Sequence, residues 1–64
     1  MDSIEIYLKL IDRATFEHPG FESEKHHIIP RCMGGNDLKN NLVSLTIEEH
    51  FLAHKLLAKI YYRA

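Results

Sequence analysis

The chain reads as an α+β domain in the order helix, strand, long loop, strand, helix. Two stretches with apolar residues at helical spacing flank two short segments rich in β-branched or apolar residues, and a Gly-Gly loop separates those segments. These observations predict a small two-stranded sheet that must lie against a helix, because an isolated hairpin is marginal in water.

Ser3 to about Phe16 carries Ile4, Tyr7, Leu8, Ile11 and Ala14 at spacings of three and four, the stripe of an amphipathic helix. Asp2 or Ser3 is placed to cap its start. His18-Pro19-Gly20 stops it near Glu17, because proline disfavours helical geometry in the residue before it. The helix is therefore expected over about 3–17, and His18 reads as an ordinary exposed turn residue.

His26 to Pro30 contains Ile28 and Ile29 and ends at a proline, which predicts a strand that stops there. The loop Arg31-Cys32-Met33-Gly34-Gly35-Asn36-Asp37 follows, its glycine pair open to left-handed backbone angles. Leu42-Val43-Ser44-Leu45 predicts the second strand. Thr46-Ile47-Glu48-Glu49 is a capping box, in which the Thr46 hydroxyl and the Glu49 carboxylate satisfy each other's free backbone N–H groups. The second helix then begins at Ile47 and runs toward Tyr62, with Ile47, Phe51, Leu52, Leu56 and Ile60 as its apolar positions. Tyr61-Tyr62 is expected to close the core.

A length of 64 residues bounds the chain to one domain, 1–64, in a size range where only about 60% of the unfolded chain's surface is buried. Folds this small often need a disulfide, a metal or a partner subunit. Cys32 is the single cysteine, which removes the internal disulfide and the four-cysteine zinc site and leaves Cys32 as a loop or packing residue. No apolar run approaches the roughly 20 residues that span a bilayer, and Met1-Asp2-Ser3-Ile4-Glu5 lacks a basic leader, so the expectation is no membrane and a cytoplasmic location. The formal charge of −1 is a poor global attractor for a polyanion. From Lys25 onward the balance changes to six basic residues against three acids.

Four of the five histidines fall in two tight clusters, His26-His27 and His50/His54. Positions 50 and 54 on a helix differ by about 400° of rotation and about 6 Å of rise, so both rings can reach one ion. Three imidazoles leave open positions on a divalent cation, and a fourth ring could take a proton from an attacking water. Asn41 stands just before the second strand. Arg31, Lys39 and Lys55 are candidate contacts to phosphate, against the equal expectation of solvated charge.

Glu-Lys-His-His-Ile-Ile-Pro-Arg-Cys-Met-Gly-Gly, then Asn-Asn-Leu-Val-Ser-Leu-Thr, then Glu-Glu-His-Phe-Leu-Ala-His resembles the HNH endonuclease family. The resemblance covers Glu24 to about Tyr61 and is to the small phage and homing-element type, with the His-His-x-x-Pro and His-x-x-x-His pattern of the colicin DNases. It implies a ββα-metal core over about 24–62 with the N-terminal helix added, in a protein working in a phage or bacterial host cell. It implies that His26, His50 and His54 are metal ligands, that His27 is the general base, and that Asn41 holds the loop and orients the base. The implied reaction is hydrolysis of a DNA phosphodiester with one divalent cation, which stabilises the charged phosphate and the leaving oxygen. The family implies Mg²⁺ or Mn²⁺, whereas three imidazoles suit Zn²⁺ or Ni²⁺ by ligand softness.

In a regular strand His26 and His27 face opposite sides, so the reading expects a bend or bulge there. Cys32 stands alone where many HNH proteins pair cysteines around a structural zinc, and the chain has no room for a separate DNA-reading module. Two alternatives accompany this reading. One is a non-catalytic zinc-stabilised module binding nucleic acid or protein, which would collapse on chelation. The other is an interaction protein that forms a homodimer through the N-terminal stripe.

Overall fold

The computed structural model describes residues 2–16 and 23–62. In chain order the elements are α1 (Ser3–Phe16), β1 (Glu24–His27), short 3-10 turns at Arg31–Met33 and Lys39–Asn41, β2 (Leu42–Leu45) and α2 (Ile47–Tyr62). This is the expected α+β order. Glu17, His18, Pro19 and Gly20, where the sequence predicts the stop of the first helix, lie outside the described residues.

α1 starts where its first free N–H groups find a partner, with Glu5 N–H donating to Asp2 Oδ1 at 2.9 Å. α2 starts at the capping box, where Thr46 N–H donates to Glu49 Oε1 at 3.0 Å and Glu49 N–H donates to Thr46 Oγ1 at 3.1 Å. Those bonds, together with the Arg13 guanidinium 3.1 Å away, hold the Glu49 carboxyl below the usual carboxylate range. The Arg13–Glu49 pair also ties the two helices together, although an exposed pair of this kind adds little stability.

β1 and β2 pair antiparallel, with Glu24 opposite Leu45, Lys25 opposite Ser44, His26 opposite Val43 and His27 opposite Leu42. The first strand therefore lies earlier than the expected His26–Pro30. The reason is Asn41. Its carboxamide accepts from Ile29 N–H at 2.8 Å and donates to Ile29 C=O at 3.0 Å, so the backbone groups of Ile29 are satisfied by a side chain instead of a strand. The loop then turns at Pro30, with Met33 and Gly35 N–H both donating to the Pro30 carbonyl.

Only Gly34 of the glycine pair uses the left-handed region, at φ 94°. Gly35 serves a different purpose: a Cβ there would lie 1.8 Å from the Ile29 carbonyl oxygen. The loop folds back on the end of β1 at that point, and only a residue without a side chain fits.

The core consists of Tyr7, Leu10, Ile11 and Ala14 of α1, Val43 and Leu45 of β2, and Ala53, Leu56 and Leu57 of α2. Both helical stripes are rotated from the sequence expectation. Ile4 and Leu8 are exposed while Leu10 is buried; Ile47, Phe51 and Leu52 are exposed while Ala53 and Leu57 are buried. On α2 the buried residues Ala53, Leu56 and Leu57 share one core with Val43 and Leu45 of the sheet, and Phe51 is left in solvent beside Lys55. Tyr61 is exposed rather than closing the core. No helix among the described residues is long and apolar enough to cross a membrane.

Candidate metal centre

Strand alternation assigns the first part of the site. Glu24 and His26 lie two residues apart on β1 and so share a face, the one covered by α2. One helical turn apart on α2, His50 and His54 are presented to that face. His26, His50 and His54 each bring one donor atom into a cluster within 4.8 Å of one another. The ring centroids are 5.1 Å apart for His26 and His50, 5.5 Å for His26 and His54, and 4.7 Å for His50 and His54.

The hydrogen bonds around the rings define which nitrogens remain for a ligand. His50 Nδ1 lies 2.7 Å from Glu24 Oε1. A carboxylate at that distance takes the Nδ1–H and leaves the Nε2 lone pair pointing inward, where Nε2 of His54 stands 3.1 Å away. Two facing ring nitrogens need either one proton or one cation between them. His26 Nε2 lies 2.7 Å from the Tyr7 hydroxyl, which donates to the Ile28 carbonyl at 2.7 Å.

Burial, with smaller contributions from the neighbouring rings of His50, His54 and His27, pushes the His26 pKa down to about 4. His26 is thus neutral at pH 7, the form that carries a lone pair for a metal. Burial, and secondarily Tyr61, pushes the Tyr7 hydroxyl up to about 12, so it keeps its proton as a donor. Nitrogens sharing one ion at about 2.1 Å lie roughly 3 to 4 Å apart. The cluster fits a divalent cation with small ring adjustments, and a nitrogen-only donor set favours a borderline metal.

His27, the neighbour of His26, takes the opposite face, and the pairing runs regularly through it without a bulge. The expected irregularity comes after His27, at Ile28 and Ile29, where the chain bends. His27 nevertheless reaches the same groove, a hollow of about 340 Å³ lined by Lys25, His26, His27, Pro30, Arg31, His50, His54 and Leu57. Its Nε2 lies 2.7 Å from Asp37 Oδ1. That bond, with Arg31 nearby, holds the Asp37 carboxyl below its ordinary range.

Asn41 is buried and stands apart from the ring cluster, bonded to Ile29 on both sides and donating to Asn36 C=O at 2.8 Å. Its own backbone carbonyl accepts from Ile28 N–H at 2.8 Å. These bonds tie Asn41 to the loop that follows His27. Of the three candidate phosphate contacts only Arg31 lines the groove. Lys39 lies in a different hollow with Lys25 and Ser44, and Lys55 sits 5.5 Å from the Phe51 ring centroid. Cys32 is exposed. Sequence reasoning did not mark Tyr7, Glu24 and Asp37 as site residues; the two-residue offset between Glu24 and His26 is the one signal that could have found the first.

The chain is 58% identical over 62 residues, 95% of its length, to "Probable mobile endonuclease E" of Enterobacteria phage T4. It is 66% identical over 57 residues to "Probable mobile endonuclease D" and 71% identical over 41 residues to "Probable mobile endonuclease B" of the same phage, covering 89% and 64% of the chain. The chain resembles one segment of these phage proteins. It spans 44%, 21% and 16% of their respective lengths. No family model and no solved structure matches the chain.

Proposed function

We propose that the chain is an HNH-type nuclease domain that hydrolyses DNA phosphodiester bonds with one divalent cation. The observation that carries this reading is the convergence of His26, His50 and His54, with His27 on the rim of the same groove. Similarity to phage proteins named mobile endonucleases supports a nuclease and supports DNA as its substrate.

His26, His50 and His54 would hold the cation, and three protein donors leave coordination positions for water and substrate. A closed structural zinc site needs a fourth protein ligand, and among the described residues the cluster has three. A bound divalent cation supplies positive charge to the scissile phosphate and the leaving oxygen. Mg²⁺ or Mn²⁺ follows from the HNH resemblance, and Zn²⁺ or Ni²⁺ from the softness of the rings.

His27 is the base. With its Nε2–H given to Asp37, its Nδ1 lone pair is the acceptor for the proton of the attacking water. Asn41 fixes the loop that carries Asp37, and so the position of His27. Lys25 and Arg31 flank the rings and supply cations for the DNA backbone where the chain as a whole is slightly acidic.

Supercoiled plasmid incubated with Mg²⁺, Mn²⁺ or Ni²⁺ is expected to be nicked. His27→Ala is expected to lower the rate about 100- to 10,000-fold, the usual contribution of a positioned base. Intact plasmid with every ion, or equal nicking by the variant, contradicts the proposal.

A further inference from the structure

We propose that the Tyr7 hydroxyl selects which nitrogen of His26 faces the histidine cluster, which makes Tyr7 a positioning residue for the metal centre contributed by α1. This deepens the metal reading above and rests on it.

A hydroxyl has one proton to give. The Ile28 carbonyl, 2.7 Å from the Tyr7 oxygen, can only accept, so that proton belongs to it. His26 Nε2, also 2.7 Å from the Tyr7 oxygen, must then donate. A neutral imidazole carries one N–H, which leaves the lone pair of His26 on Nδ1. The opposite assignment would set the lone pairs of the Tyr7 and Ile28 oxygens against each other. Tyr7 is 4% exposed and His26 is 3% exposed, so water has little access to mend such a mismatch.

Glu24 does the reverse for His50: it takes Nδ1–H and turns Nε2 inward. The two rings therefore offer different nitrogens, each set by a partner outside the ligand set. Tyr7 links α1 to the site by a contact that a purely apolar core residue would not provide.

Tyr7→Phe keeps the ring in the core and removes only the hydroxyl. Long-range proton–nitrogen correlation NMR on the metal-free protein at neutral pH is expected to show His26 as the Nε2–H tautomer, a preference lost in Tyr7→Phe. By calorimetric titration with Co²⁺, Tyr7→Phe is expected to bind about 10- to 100-fold more weakly, the usual effect of removing a partner of a ligand histidine, with its circular dichroism unchanged. An Nδ1–H tautomer of His26 in the unsubstituted protein overturns the inference, and that spectrum decides even if the variant fails to fold. Uptake of Co²⁺ by the parent protein with equal affinity in Tyr7→Phe overturns the inference alone. Absence of Co²⁺ uptake by the parent protein overturns the metal reading, and this inference with it.

Discussion

His50→Ala is expected to weaken divalent-cation binding more than any other single change in the cluster that spares the fold. Loss of a hydrogen-bonded partner of a ligand typically costs 10- to 100-fold in affinity, so loss of a ligand that also anchors such a partner should cost on the order of 100-fold or more. His50 is that ligand: it faces His54 at 3.1 Å and ties Glu24 to the site at 2.7 Å. Removing it leaves two ring donors and frees a carboxylate. The apo fold should survive, because His50 is not part of the apolar core. His26 is a poorer probe, since it is buried in the sheet and its loss would open a void beside Tyr7 and Val43. Calorimetric titration with Zn²⁺ or Co²⁺, alongside a thermal melt of the apo protein, checks both halves of this expectation. Unchanged affinity in His50→Ala would remove the ring from the ligand set.

Gly35→Ala should have the largest effect on stability. The added Cβ would meet the Ile29 carbonyl oxygen at 1.8 Å and its carbon at 2.7 Å, with Asn41 Nδ2 at 3.0 Å. Two of those atoms are backbone and cannot rotate away. The loop must move off the end of β1, and in doing so it loses the Gly35 N–H bond to Pro30 and strains the carboxamide bonds of Asn41 to Ile29. Overpacking alone costs about 1 to 3 kcal/mol, and each buried polar group left without a partner adds about 1 to 3 kcal/mol. For a chain this short, that sum approaches the whole stability of a marginal domain. Gly34→Ala is the control: a Cβ there meets nothing within 4 Å, and only the φ of 94° opposes it, at about 1 to 2 kcal/mol. Urea unfolding of the two variants should therefore separate them clearly, and equal midpoints would contradict the close approach.

The same two positions show what a linear reading can reach. β2, the capping box and the start of α2 were legible because their signals are local: an apolar run, then Thr46 and Glu49 three residues apart. The pairing of His50 with His54 follows from helical spacing alone. The rotation of α1 was not legible. Which side of an amphipathic stripe is buried depends on where the sheet lies, so Leu10 replaced Ile4 and Leu8. Tyr7 looked like one more core residue, and its hydroxyl acquires a function only when α1 docks within reach of His26 and Ile28. Glu24 depends on strand register, and Asp37 on the fold of a loop whose shape Asn41 sets from the far side. The end of β1 shifted because a side chain replaced a strand as the partner of Ile29. A glycine pair in a loop signals backbone freedom, whereas steric clearance against Ile29 is what requires Gly35.

The proposed metal centre requires three imidazoles from β1 and α2 to bind one cation together. X-ray absorption of the Zn²⁺-loaded protein measures that directly, because imidazole rings give a characteristic outer-shell scattering pattern. The expected spectrum contains three imidazole nitrogens at about 2.0 to 2.1 Å together with at least one solvent oxygen. A first shell with one imidazole or none would contradict it.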